Sequence, residues 1–247
     1  MKKISEISAI VHLAAKAGVR LSMKDPSPYQ EVNVCGTHNL LDFATNEGIP
    51  HFVFASSSSV YGDNSKTPWR EDDKLMPISH YASTKIAGEE LGSYYSSMHG
   101  IRFIALRLFT VYGPGQRPDL AIFKFLSSIL QEQPISVYGN GDSLREYTFI
   151  SDVVTGICEA LNYRGSSYEC INIGGNEPIN LMFLIRLLEN ISKKKAIIHH
   201  LNEQLGDVKI THSDSSKAKL LLNYTPTIKL LNGLTSFYTW YVENHVC

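Results

Sequence analysis

Ala9-Ile10-Val11-His12-Leu13-Ala14-Ala15 and His51-Phe52-Val53-Phe54-Ala55-Ser56 decide the fold class. The first carries apolar residues on both faces, as a short strand does in a parallel sheet covered from both sides. Between them, Asp25-Pro26-Ser27-Pro28 signals a turn into a helix that runs to about Asn46. Val34, Leu40, Leu41 and Ala44 form its apolar stripe, and Gly48-Ile49-Pro50 stops it. The spacing next predicts a helix over 81–98, a strand over 102–109 and a helix over 118–131. Ile122, Phe125, Leu126 and Ile129 form the inward stripe of the last. This strand–helix alternation predicts a doubly wound α/β sheet.

The last third changes character. Strands shorten, around Val137, Tyr147–Ile150 and Cys170–Ile173, and the loops are richer in Gly and Asn. Helices are expected at Asp152–Asn162, Leu181–Asn190 and Asp214–Leu222. A final helix sets Leu230, Leu231, Leu234, Phe237, Tyr238 and Tyr241 on one face. At 247 residues, 43% hydrophobic and 19% charged, the chain is long and apolar enough for a large core and is not of the disordered class. A net charge of −1 gives no electrostatic case for nucleic acid or an anionic membrane as partner. Cys35, Cys158, Cys170 and Cys247 form no CxxC pair, which fits a reducing cytoplasm. No metal-ligand spacing is present; the pair His199-His200 reads as surface. The apolar stretch near the start is broken by His12 and Lys16, so no signal peptide is read, and no run reaches the roughly 18–20 residues of a membrane span.

Ser56-Ser57-Ser58-Ser59-Val60-Tyr61-Gly62 follows directly on an apolar strand. Open α/β sheets place their binding crevice at such carboxyl ends. The polar segment from Ser57 to Ser79 is long for a plain connection, which points to function. Tyr81-Ala82-Ser83-Thr84-Lys85 sets a phenol and an ammonium on one helical face, where the cation favours the phenolate and draws its pKa down. A serine hydroxyl at the strand end could then bond the oxygen that Tyr81 deprotonates.

These motifs continue in order with Leu106-Arg107-Leu108-Phe109-Thr110-Val111-Tyr112-Gly113-Pro114-Gly115, Gly139-Asn140-Gly141-Asp142-Ser143-Leu144-Arg145-Glu146-Tyr147-Thr148-Phe149, Asn172-Ile173-Gly174-Gly175 and Gly206-Asp207-Val208. Together they resemble the extended short-chain dehydrogenase/reductase family, in particular its nucleotide-sugar epimerases and dehydratases. The resemblance implies a Rossmann-like, doubly wound NAD-binding part over residues 1–113, N-terminally truncated, and a smaller α/β substrate domain mainly over 114–247. It implies Tyr81 as catalytic acid/base, Lys85 on the nicotinamide ribose and lowering the tyrosine pKa, and Ser57 assisting. Hydride would pass from sugar C4 to NAD⁺ and, in an epimerase, return to the other face. Leu13, Ala14, Ala15, Ala17, Ser56, Tyr81, Lys85 and Phe109 fall on cofactor positions. Ser57, Ser58, Thr110, Arg117, Tyr138, Arg145 and Asp207 fall on UDP-sugar positions.

The dehydratases carry an Asp-Glu pair where this chain has Ser58-Ser59, which cannot supply the acid and base of elimination, so epimerisation fits. Arg145 resembles the family's diphosphate-binding arginine, with Glu146 in place of the usual Asp. Arg117 resembles the arginine near the sugar carboxylate in UDP-glucuronate 4-epimerases, a subgroup that Ala17-Gly18-Val19-Arg20 and Gln204-Leu205-Gly206-Asp207-Val208 also resemble. UDP-glucose and UDP-galactose stay open as substrates.

No GxxGxxG loop precedes His12. Against the family's layout about 70–80 residues of a βαβαβ half are absent, which would leave Ala9–Leu13 as an apolar edge strand. Two readings follow. One is an epimerase whose first half lies on a longer chain or is supplied by a separate chain. The other is a catalytically inactive remnant that binds a nucleotide sugar or a partner. The family's pairing through the helices beginning near Pro28 and Tyr81 makes a homodimer the expected assembly.

Overall fold

A computed structural model describes residues 7–175, 177–202 and 208–245. In chain order the elements are β1 (Ile10–His12), α1 (Val19–Lys24), α2 (Ser27–Tyr29), a π-type segment (Gln30–Cys35) running on into α3 (Gly36–Asn46), β2 (His51–Ser57), a 3-10 turn (Ser58–Tyr61) and α4 (His80–His99). They continue with β3 (Arg102–Leu108), β4 (Val111–Tyr112), α5 (Ala121–Leu130), β5 (Pro134–Tyr138), β6 (Leu144–Arg145), β7 (Thr148–Phe149), α6 (Ile150–Asn162) and β8 (Tyr168–Ile173). The remainder are β9 (Ile179–Asn180), α7 (Leu181–Ser192), β10 (Ile197–Leu201), α8 (Ser216–Leu222) and α9 (Leu230–His245).

The central sheet is parallel, in the order β1-β2-β3-β8. Side chains alternate across it. Phe52, Phe54, Phe103 and Ala105 pack with Leu41, Ala44 and Tyr95 of α3 and α4. Val53, Ile104 and Leu106 pack on the other side with Val153, Ala160, Ala218 and Leu222 of α6 and α8. Covering both faces explains why β2 and β3 read as nearly continuous apolar runs. Residues beyond 113 thus return to the first sheet through α6, β8 and α8. A second core joins α5, β5, α7 and α9 through Phe125, Leu126, Val137, Leu184, Leu188 and Phe237.

Helix α4 lies close on the sheet because two glycines face it. A Cβ on Gly88 would stand 2.4 Å from the Phe54 ring, and one on Gly92 would stand 2.1 Å from the Phe103 ring. Helix α4 is further bound by a buried ion pair. Arg107 on β3 meets Glu89 in a fork, Nε to Oε1 at 2.9 Å and Nη2 to Oε2 at 2.7 Å. Burying two charges is costly unless their remaining hydrogen-bonding positions are filled. Here Ser56 donates to Glu89 Oε1 at 2.5 Å, and Arg107 Nη1 donates to Tyr61 Oη and to the Glu71 carbonyl. Tyr61 in turn donates to Asn172 Oδ1 at 2.7 Å.

Some local expectations change. The segment 57–79 is not all loop: Ser57 caps the 3-10 turn, accepting from the Ser59 amide, and Tyr61 and Trp69 are fully buried within it. The strand expected over Tyr147–Ile150 is only Thr148–Phe149, since α6 starts at Ile150. The third helix of the sequence reading starts at Ala121 rather than Pro118. Helix α1 and strand β10 were not expected. The latter pairs in parallel with β5, carries His199 and His200 exposed, and is too solvated to show an apolar pattern. Strand β1 is paired on one edge, and among the described residues nothing pairs with the other. Val11 is 36% and Leu13 55% exposed, as expected of an apolar edge. Among the described residues no helix is long and apolar enough to cross a membrane, and no group of three or more His, Cys, Asp or Glu could hold a metal.

Candidate active site

Tyr81 and Lys85 stand one turn apart on α4, and Glu89 follows one turn later on the same face. Gly88 and the Glu89–Arg107 pair fix this face against the carboxyl end of β2. Lys85 is buried, donates from Nζ to the Ala55 carbonyl at 2.7 Å and lies 4.8 Å from the Phe54 ring centre. Burial brings its pKa down to about 8, with Glu89 acting in the opposite direction. Burial pushes the Tyr81 phenol above its ordinary value, offset in part by a hydrogen bond with the Ser57 side chain and by the charge of Arg117. The expected drop caused by Lys85 is therefore not found. The ammonium is 5.8 Å from the Tyr81 ring centre and is bonded to Ala55, and desolvation of the phenol outweighs the favourable charges.

The Ser57 hydroxyl is shared. It accepts from the Ser59 amide, pairs with Ser59 Oγ at 2.9 Å and reaches Tyr81. Ser58, Ser59, Thr110, Arg117 and Arg145 line one cavity of about 870 Å³ between α1, the serine turn and the start of α5. Arg145 also lines a neighbouring cavity of about 650 Å³ with Tyr138, Tyr147 and Phe123. Arg20, Asp119, Lys124 and Arg145 are common to both. Among the described residues lining the larger cavity, Arg20, Lys24, Arg117, Lys124 and Arg145 are cationic and Asp119 alone is acidic. Such a wall concentrates anionic ligands. Asp119 is engaged by a fork from Arg117, at 2.9 and 2.8 Å.

Sequence reasoning missed Arg20, Lys24 and Lys124. Arg20 sits with its guanidinium 5.4 Å from the Tyr138 ring centre, bringing α1 against the second core. Its signal was in plain view in Ala17-Gly18-Val19-Arg20. Lys124 could have been found as the charged residue opposite the inward stripe of α5.

Two of the sequence-based cofactor positions have side chains turned elsewhere. The Ser56 hydroxyl is bonded to Glu89 inside the protein. The Phe109 ring is fully buried against Tyr61 and Trp69 and supports the loop. Leu13 and Ala14 are exposed, and Ala15 and Ala17 half-buried, just past the carboxyl end of β1. Asp207 lies outside the described residues. Glu146, the departure noted above, is fully buried. Its carboxylate accepts from the Ser213 amide at 2.5 Å, the Ser213 hydroxyl at 2.8 Å and the Gly175 amide, so it ties loops together behind Arg145.

The NAD dependent epimerase/dehydratase family matches the chain over residues 1–174. A UDP-glucuronate 4-epimerase of Thermodesulfobacterium geofontis is 43% identical to it over 240 residues, which is 96% of this chain and 73% of that protein. The UDP-glucuronic acid 4-epimerase of Bacillus cereus, solved with UDP-glucuronic acid and NAD, matches with a TM-score of 0.92 at 38% identity, covering 96% of this chain and 76% of that one. The UDP-glucose 4-epimerase of Thermotoga maritima with UDP-glucose matches at 0.91 and 28% identity, covering 96% and 77%.

His12 lies beneath this site. It is buried, shares a 3.0 Å hydrogen bond with Thr37, and is brought down to about pKa 4 by burial and then by the charge of Lys85. The unfolded chain takes up a proton below its ordinary value of 6.5, which the folded protein refuses until about 4. Stability from this source is complete above that upper value and is lost as pH falls through the interval, on the order of 3 kcal/mol in all. Urea midpoints measured across the interval should fall steeply for the wild type and less for His12→Gln; equal slopes would remove His12 as the cause.

Proposed function

The chain belongs to the NAD dependent epimerase/dehydratase family, and within it we propose that it is a 4-epimerase of a UDP-hexuronate, with Tyr81 as acid and base. The observation that carries this reading is the convergence at Tyr81. Its phenol shares a hydrogen bond with the Ser57 side chain and feels the charge of Arg117, and Ser58, Ser79 and Arg117 line a cavity whose wall is cationic. A UDP-hexuronate brings a diphosphate and a carboxylate, and a cavity with five cationic residues suits both.

NAD, when bound, supplies the acceptor for the C4 hydride. Lys85 and Tyr81 would hold its nicotinamide ribose beside the carboxyl end of β1, where Leu13, Ala14, Ala15 and Ala17 give an open surface. The buried Lys85 ammonium fits this task, since a ribose hydroxyl can accept a hydrogen bond from an N–H that Ala55 leaves available. Burial favours the neutral phenol, so Tyr81 would act from its phenolate form: it would take the proton of the C4 hydroxyl at Oη as the C4 hydride leaves, giving a 4-keto sugar, and return that proton to the C4 oxygen as the hydride comes back on the other face. Ser57 fixes that oxygen. Ser58 and Thr110 hold sugar hydroxyls, Arg117 the carboxylate, Arg145 the diphosphate and Tyr138 the nucleotide side, with Asp207 beyond the described residues. With serines at 58 and 59, the turn next to Ser57 supplies no group for elimination.

On this reading residues 1–113 serve mainly the cofactor and 114–247 mainly the UDP-sugar. The edge of β1 that is unpaired among the described residues suits a further parallel strand. Val32 and Phe43, with Tyr94 and Met98 of α4, leave an exposed apolar face that suits a homodimer. Sedimentation equilibrium should find a dimer, and a Tyr94→Lys/Met98→Lys variant should be monomeric; a monomeric wild type sinks the assembly.

Tyr81→Phe should abolish C4 exchange on UDP-glucuronate while its Kd, by calorimetry, is unchanged; undiminished turnover would refute the acid/base role. Arg117→Ala should weaken UDP-glucuronate about 10- to 100-fold, the range of one charge-assisted bond, and leave UDP-glucose within a factor of about two. Equal loss for both sugars would move Arg117 off the carboxylate. A folded wild type that binds UDP-glucuronate but neither binds NAD nor exchanges C4 would replace the enzyme reading with that of a nucleotide-sugar-binding protein.

A further inference from the structure

Tyr81 lies in the first turn of α4, where backbone N–H groups have no acceptor within the helix. Ser79, the cap residue, accepts from the Ala82 amide at 3.1 Å. The Tyr81 amide is satisfied from 59 residues away, donating to Ser22 Oγ at 3.0 Å. Ser22 is fully buried, and its hydroxyl proton is committed to the Val19 carbonyl at 2.7 Å, which leaves its lone pair aimed at Tyr81. Ser22 belongs to α1, whose Arg20, Leu21, Met23 and Lys24 line the larger cavity.

The Tyr81 carbonyl is tied to the same segment from the other side. Thr84 donates to it at 2.8 Å, Asn33 Nδ2 donates to Thr84 Oγ1 at 2.9 Å, and Asn33 clasps the backbone of Lys16 through both amide atoms, at 2.8 and 3.0 Å. Tyr29, whose ring packs edge-on to Tyr81 at 6.4 Å, donates to the Ala17 carbonyl. The Tyr81 amide is thus held directly by α1, which walls the cavity, while its carbonyl is linked only indirectly, through Thr84 and Asn33, to Lys16 just before that helix.

We propose that Ser22 is a positioning residue for the reaction: through its bond to the Tyr81 amide it couples α1, and with it occupation of the cavity, to the placement of the phenol. The proposal rests on the reading of Tyr81 as acid and base. A side chain without an acceptor at 22 lets the first turn of α4 drift, and a shift of under 1 Å is enough to spoil transfer of a proton or hydride.

The test is hydrogen exchange together with kinetics on the full chain. In Ser22→Ala the Tyr81 amide should exchange at least about tenfold faster, with the amides of β3 unchanged. UDP-glucuronate should slow that exchange in the wild type and not in the variant. The kcat should fall about 10- to 100-fold with KM within about threefold, and Ser22→Thr, which keeps the hydroxyl, should restore both readouts. Ser22→Cys, a weak acceptor of similar size, replaces Ser22→Ala should the latter fail to fold. Unchanged Tyr81 exchange in a folded variant overturns the proposal, as does unchanged kcat, or kcat and KM moving together with a general loss of protection. A wild type without turnover ends the epimerase reading; the exchange measurements then decide the coupling by themselves.

Discussion

The fork between Glu89 and Arg107 is the interaction on which the rest depends. It joins α4 to β3 inside the protein, and each end is saturated. Ser56 fills the carboxylate, while Tyr61 and the Glu71 carbonyl fill the guanidinium. Removing either partner would strand a buried charge, a loss of about 3–5 kcal/mol. Its position matters as much as its strength. Glu89 is two turns from Tyr81 and one from Lys85, and Ser56 immediately precedes Ser57. One ion pair therefore sets the helix that carries the phenol and ammonium against the strand end that carries the serine.

From that anchor the arrangement builds outward. The glycines of α4 let it settle onto Phe54 and Phe103, bringing Lys85 within reach of the Ala55 carbonyl. Tyr61 and Asn172 extend the network to β8, and Glu146 stitches the loops behind Arg145. The two cores meet across a cavity whose wall is drawn from α1, the serine turn, α5 and β6. Neither part alone holds both the phenol and the arginines.

Much of this was legible in the residues. The doubly covered strands declared themselves as unbroken apolar runs, and the Tyr81–Lys85 spacing could only be read as one face of a helix. The serine turn gained meaning from the strand before it. What stayed hidden was short or solvated. Helix α1 has six residues and follows Gly18 at a φ of 127°, so no periodic pattern marks it. Strand β10 is mostly exposed and has no alternation to show. The direction of the Tyr81 shift was also out of reach. Spacing reveals that an ammonium is near, but not that burial outweighs the Ser57 hydrogen bond and the Arg117 charge. The partners of Ser56 and Phe109 are distant in sequence, so the turn of their side chains into the interior could not be read from spacing.

The cationic wall carries one more consequence. Two sugars that differ only in the configuration at C4 have the same charges and the same donors and acceptors. A cavity that holds its ligand mainly by Arg145, Arg117 and their neighbours has little with which to tell them apart. On the proposed reading it would bind reactant and product almost equally and hold both against release. The direction of net conversion would then be set by whichever epimer the cell supplies or drains, and UDP itself, keeping most of the charge, would compete for the same seat.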